Sequence, residues 1–323
     1  MITAKLAVVR PDAPSRAPLA GPPVSGTFEQ RRRGVGILFV TPALLILAAI
    51  LGYPILRSLI LAMQHVRLAS GHMHVHWIGW DNYIDLISDG SFALALRNTI
   101  LFSLGEVILV TTIGLGAALL LNHRFGRHGI LRILLIIPWA IAPVANAVLW
   151  KWILNANYGV LNAVLKSLGL IDHYVVWLGQ PVRALTLLLL VDVWKSVPFI
   201  ALLFLAGLQR IPKILYRAAI LDGASGWQRF RFVTLPSLRS TITIVVVLQT
   251  IWSLRVFDLV FVLTRGGPAD GTVLLNFLAY RVTFNFLNIG SGAAIANVIF
   301  AMSFVLALLY IWLLQPSRKG TTA

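Results

Sequence analysis

Residues 209–236 read QRIPKILYRAAILDGASGWQRFRFVTLP and form the longest polar interval between hydrophobic segments on the basic side of the chain. Arg210, Lys213, Arg217, Arg229, Arg231 and Arg239 mark the interval and its edge. Pro212 suits the first turn of a helix, whose N–H groups have no intrahelical partner to lose. Lys213 to Leu221 are good helix formers, and Asp222-Gly223 ends the run with a turn dipeptide. A second short helical run is predicted over 224–233, before Pro236 closes the segment. Ile214, Leu215, Ala218 and Leu221 recur at helical spacing and give the first helix an apolar stripe. Trp227 and Phe230, three residues apart, give the second a similar face. A helix–turn–helix of this kind serves as a docking knob, a membrane-surface helix or a connector. Spacing alone does not choose among them.

What flanks the interval decides its setting. The chain has 323 residues, 58% hydrophobic and 12% charged, with a mean hydropathy of +0.85. Soluble domains carry about 25% charged residues, so half that share points to a membrane protein. The absence of cysteine excludes disulfides and thiolate metal sites. Six stretches reach the roughly 20 apolar residues that a spanning helix needs: 34–63, 98–121, 130–154, 182–208, 238–263 and 292–314. The loops between them, the tails and the adjoining span ends hold seventeen Lys and Arg on one side and six on the other. The positive-inside rule therefore puts both termini and segment 209–236 in the cytoplasm. A net charge of +16 and a pI near 11.2 raise a nucleic-acid partner. The placement of that charge, facing anionic lipid headgroups and whatever docks there, argues against it.

The expected fold class is thus all-α: a polytopic membrane helix bundle of six transmembrane helices with a cytoplasmic coupling helix–turn–helix. Residues 1–33, rich in Pro, Ala and Arg, read as a disordered cytoplasmic tail. Residues 34–315 read as the membrane domain and 316–323 as a cytoplasmic tail. A cleaved signal peptide is the alternative at the N terminus, but 34–63 is too long for its apolar core and no A-x-A site directly follows it.

The run RAAILDGASGWQRFRFVTLP (217–236) resembles the coupling-loop signature of ABC importer permeases: Glu-Ala-Ala, three residues, Gly and a closing Leu-Pro. Ala218, Ala219, Asp222, Gly223, Ala224, Phe230, Leu235 and Pro236 match it. Arg217 stands where the signature has glutamate, so no salt bridge is carried over from that position. Residues 131–165, LRILLIIPWAIAPVANAVLWKWILNANYGVLNAVL, and TRGGP at 264–268 are similar to the sugar-type subfamily, and the resemblance runs from about Arg31 to the C terminus. It implies an inner-membrane permease of a prokaryote, whose coupling loop inserts into a groove of a separate ATPase. The implied partners are a second, homologous permease, an ATPase dimer that holds ATP and Mg, an extracytoplasmic solute-binding protein and the lipid bilayer. The implied solute is a sugar, or a related polyol or glycerol phosphoester. A secondary transporter or channel working without ATP, an ABC permease for another solute, and a membrane scaffold are the rivals. The coupling signature speaks against the first of these.

Charged groups inside spans cost about 2.5–3.5 kcal/mol each on insertion scales, so each needs an account. Glu106 lies in the second span, Asp192 and Lys195 in the fourth, Arg255 and Asp258 in the fifth. Each of the last two pairs is spaced i, i+3 and is expected to share a helix face. Pairing that holds the bundle together is the plain alternative to solute binding. Alignment of VDVWKSVPF and the segment before TRGGP with the maltose-type permease pattern implies a solute path. It comprises Asp192, Lys195, Ser196, Phe199, Gln249, Trp252 and Ser253, with Arg255 and Asp258. In that reading Trp252 and Phe199 stack on a sugar ring, while Gln249, Ser253 and Asp192 bond its hydroxyls.

Pro138 and Pro143 each free a backbone carbonyl in the third span, which a neighbouring helix or a water-lined cavity must satisfy. Trp77, Trp80, Tyr83, Trp139, Trp150, Trp152 and Trp177 read as interface anchors. His65, His72, His74 and His76 in the outer loop invite a metal reading, because alternating residues share one face of an extended strand. The resemblance offers no counterpart there, and no metal is expected. With no G-x-x-x-x-G-K-[ST] loop and no Ser–His–Asp or paired-carboxylate arrangement, a non-catalytic subunit without a cofactor is expected.

Overall fold

The computed structural model describes residues 39–69, 72–122 and 129–314, in two units divided between Ile55 and Leu56. In chain order the elements are helix α1 (Phe39–Ala62), the hairpin β1 (Gln64–Ala69) and β2 (His72–Trp77), α2 (Asp81–Ser88) and α3 (Gly90–Asn122). Next come α4 (Gly129–Ala140), α5 (Pro143–Ile153), α6 (Val160–Ser167), α7 (Pro181–Gln209), α8 (Lys213–Leu221) and α9 (Gly226–Arg229). The chain continues through α10 (Arg239–Leu254), α11 (Asp258–Leu263), α12 (Leu275–Tyr280) and α13 (Ile289–Leu314). Among the described residues five helical segments are long and apolar enough to cross a membrane: α1, α3, α7, α10 with α11, and α13 over Ile289–Tyr310. The expected tails 1–33 and 316–323 lie outside the described residues.

In the second unit α3 and α7 pack along much of their length. Small residues make this possible: a Cβ added to Gly114 would fall 2.9 Å from Ile200 Cγ2, and one at Gly105 2.8 Å from Leu189 Cδ2. Close backbone approach of this kind is how apolar helices gain contact where lipid is as apolar as leucine. The buried side chains form two clusters. One gathers Phe102, Leu188, Val191, Leu259, Leu274 and Ile295; the other Val110, Ile200, Phe204, Leu238 and Val245. Glu106 on α3 and Asp192 on α7 fall between the two sets along their helices, and Gln249 and Ser253 fall between Val245 on α10 and Leu259 on α11. A polar layer thus separates two apolar ones.

Four features refine or change the expectations. The third span, expected over 130–154 and broken by proline, is split at Ile141 and Ala142 into α4 and α5, of 12 and 11 residues. Pro143 lacks an N–H and pushes Ala142 out of helical geometry, to φ −57° and ψ 142°. Pro138 stays inside α4. The fifth span, expected as one helix, breaks between Leu254 and Asp258, so Arg255 and Asp258 do not share a continuous helix face. No Pro or Gly marks that break. The Arg255 carbonyl accepts instead from Asn276 Nδ2 at 2.9 Å, the kind of replacement partner that permits irregular backbone at membrane depth.

The third change lies in the coupling segment, where α9 ends at Arg229 and a π-helical turn follows over Phe230–Thr234. The fourth lies in the loop after α1, which carries an antiparallel hairpin, and at α3, which begins eight residues earlier than expected, at Gly90. There Asp89 Oδ1 accepts from the Ser91 N–H at 2.8 Å, as an N-terminal cap does. The hairpin pairs His65 with His76, Arg67 with His74 and Ala69 with His72, which places all four histidines on one face. Among the described residues no three of His, Asp and Glu group closely enough to hold a metal.

Candidate functional site

The polar layer opens into a cavity of about 350 Å³, within the usual range for small-ligand sites of about 300–1,000 Å³. Asp192, Lys195, Ser196, Trp252, Arg255 and Asp258, six of the nine residues expected on the solute path, line it. Glu106, Trp139, Pro143 and Asn146 complete the polar and aromatic wall. Both helix interruptions meet here, since Pro143 opens α5 and Arg255 to Phe257 form the gap between α10 and α11. Non-helical backbone at this depth is tolerated where it borders such a cavity.

The other three expected residues stand behind or beside the wall. Phe199 stacks on Trp139, with ring centroids 5.1 Å apart and planes at 16°, and tilts against Trp252 at 5.5 Å and 49°. It joins the two cavity tryptophans into one aromatic group. Gln249 is fully buried and donates from Nε2 to Glu106 Oε1. Ser253 turns back on its own helix, donating to the Thr250 carbonyl at 2.9 Å. Gln249 and Ser253 therefore brace the wall and do not form its surface.

The charges are not paired as a scaffold would pair them. Among the described residues one ion pair falls within 4.0 Å, Arg281 with Asp270 at 2.7 Å, and it belongs to the loop after α11 and the turn after α12. Asp192 and Lys195 form no such pair, nor do Arg255 and Asp258. Glu106 faces Asp192 across the layer. The aromatic and acceptor roles of Trp139 and Asn146 escaped the sequence reading, although both flank Pro143, whose helix-breaking effect was legible.

The coupling segment is the second site. None of the side chains of α8 is buried. Leu221 is 88% exposed, Trp227 66% and Ile214 65%. Gly223 ends α8 at φ +76°, a conformation that L side chains disfavour, while the Ala224 N–H donates to the Ala219 carbonyl at 2.9 Å. Ser225 then starts α9 with a capping box: the Gln228 N–H donates to Ser225 Oγ at 3.3 Å, and the Ser225 N–H to Gln228 Oε1 at 2.7 Å.

Of the residues that match the signature, Ala218, Asp222, Gly223 and Pro236 are exposed, and Ala219, Ala224, Phe230 and Leu235 half-buried. Phe230 lies against Trp227 with centroids 5.5 Å apart. The segment is rooted in the bundle. Ile211 is buried in the Val110–Val245 cluster, and Tyr216 packs on that cluster while its hydroxyl meets Thr234 Oγ1 at 2.9 Å. The tip is apolar and open; the base is fixed.

Comparison with known proteins bears on both sites. The family model for the binding-protein-dependent transport system inner membrane component matches residues 92–318, a stretch that contains the cavity and the coupling segment. The trehalose/maltose transport system permease protein MalF of Thermococcus litoralis is 35% identical over 288 residues, covering 89% of this chain and 96% of that protein. The sulfoquinovosyl glycerol transport system permease protein SmoG of Agrobacterium fabrum is 35% identical over 283 residues, covering 88% and 91%. The solved structure of a bacterial ABC transporter involved in the import of the acidic polysaccharide alginate superposes with a TM-score of 0.75 at 22% identity, covering 92% and 99%. That likeness is one of fold.

Proposed function

This chain belongs to the family of binding-protein-dependent transport system inner membrane components, and we propose that it is the membrane permease subunit of a sugar-type ABC importer. The observation that carries the reading is the cavity. Unpaired charges and an aromatic group are held between two apolar layers, where two interrupted helices meet. A scaffold has no use for so costly an arrangement, whereas a polar solute crossing the bilayer needs it. The solute is a sugar or a related polyol or glycerol phosphoester, the class to which the trehalose/maltose and sulfoquinovosyl glycerol relatives point. Asp192, Lys195, Ser196, Arg255 and Asp258 contact it, Trp252 stacks on its ring, and Phe199, Gln249 and Ser253 support them.

In this reading α4 and α5 together make the third of six crossings, and both termini lie in the cytoplasm. The subunit itself catalyses nothing. ATP and Mg belong to a separate ATPase dimer, which receives the α8–α9 tip. A second, homologous permease completes the membrane part, and an extracytoplasmic solute-binding protein delivers the sugar. The tip sits between the cytoplasmic ends of α7 and α10, the two helices that carry Asp192 and Trp252. Movement of the tip therefore rocks the two walls of the cavity, in the manner of a rigid element that couples one site to another.

Vesicles holding the complete complex and its binding protein test the proposal with labelled maltose, trehalose and lactose. Accumulation that requires ATP and ignores ion gradients is expected. Accumulation driven by a proton or sodium gradient without ATP would refute it.

A further inference from the structure

Glu106 is 1% exposed and comes from α3, between Phe102 of one apolar cluster and Val110 of the other. Its Oε1 accepts the hydrogen bond from Gln249 Nε2. Its Oε2 is buried on the cavity wall beside the Asp192 carboxyl, and no N–H or hydroxyl of the described residues donates to it. On α5, Asn146 is 2% exposed, and its Oδ1 is likewise buried at the same cavity without a partner. A buried acceptor left without a donor is costly, and such exceptions call for an explanation. Packing gives none here, because an apolar side chain of the same shape would hold α3 against α10 without that cost. The same cavity presents the rings of Trp139 and Trp252. Acceptors without donors beside aromatic faces suit a pyranose, which has hydroxyl donors on its edge and C–H groups on its faces.

We propose that Glu106 is a solute-binding residue whose Oε2 accepts a hydrogen bond from a sugar hydroxyl, with Gln249 as the positioning residue that fixes the carboxyl. The assignment rests on the sugar-importer reading above and adds to it a residue from α3, a helix outside the expected solute path. It also gives the cavity a basis for choosing among sugars. A site built around a particular hydroxyl rejects the analogue that lacks it, because the acceptor is then left buried and unpaired.

The test uses the complete complex in proteoliposomes loaded with ATP, with labelled maltose, trehalose and lactose as probes. The sugar taken up is then compared with its monodeoxy derivatives. The parent complex is expected to discriminate against one derivative by about tenfold or more in KM. Glu106→Gln keeps the acceptor for Gln249 but turns Oε2 into a donor. It should raise the KM of the parent sugar about tenfold and erase the discrimination at that one hydroxyl. Glu106→Asp, which keeps the charge but withdraws it, should weaken the same discrimination, and it carries the comparison if the Gln variant fails to accumulate. An unchanged KM with discrimination intact in these variants overturns the assignment and leaves the importer reading standing. Absence of uptake of all three sugars by the parent complex removes the sugar reading and the assignment together.

Discussion

The coupling tip and the central cavity depart from the usual order of a folded chain in opposite directions. At the tip, apolar side chains such as Leu221 and Trp227 are 88% and 66% exposed. In the cavity, polar groups such as Glu106 and Asn146 face inward without donors. Each departure costs free energy in the isolated chain, and each names the kind of molecule that offsets the cost. Exposed apolar area calls for another protein; buried, unpaired acceptors call for a polar ligand. The tip is also locally rigid, capped at Gly223 and Ser225, whereas the cavity is bounded by broken helices. A capped tip and a pocket bounded by interrupted helices suit the proposed coupling between the two sites.

The largest effect is expected where the lever is broken. Proline fixes φ near −65°, and Gly223 sits at +76°, so Gly223→Pro should reduce uptake to background while the protein still reaches the membrane. Retained uptake in that variant would mean that the tip does not transmit motion. Next comes Leu221→Asp, which leaves the bundle untouched because the side chain has no packing to lose. Removal of a central apolar anchor should weaken capture of the ATPase by about thirtyfold, measured by co-purification or titration. Asp192→Ala addresses the other region and should lower uptake about tenfold with membrane abundance unchanged. A loss of abundance alone would make Asp192 a structural group.

The smallest effect sharpens the first. Nothing lies within 4 Å of a Cβ added at Gly223, so Gly223→Ala meets only the backbone penalty of about 1 kcal/mol. Uptake in Gly223→Ala should fall a few-fold at most. Complete loss there would point to a partner surface pressed against the glycine itself.

Much of this was legible in the residues. Apolar length located the five long helices of the described residues, Asp222-Gly223 set the end of α8, and lone charges in apolar runs marked Asp192 and Lys195. Pro143 announced the break in the third span, because its effect is local and covalent. The break after Leu254 was not legible. It depends on Asn276, twenty-one residues away from Arg255, supplying the donor that the freed carbonyl needs. The same holds for Gln249, which sequence placed on the solute path and the fold turns toward Glu106, 143 residues distant. Trp139 read as an interface anchor because ring stacking with Phe199 exists only once α4 lies on α7. Local chemistry was visible in the chain. Partners brought together by packing were not.

One measurement tests the orientation on which both readings depend, because the tip must face the cytoplasm and the solute must enter the cavity from the other side of the membrane. The chain contains no cysteine, so single cysteines at Leu221 and at Ser167, both exposed, can be labelled without background. A membrane-impermeant thiol reagent applied to intact cells should label position 167 and leave 221 untouched until the membrane is opened. Labelling of 221 from outside would place the apolar tip away from the cytoplasm, and the ATPase could not be its partner.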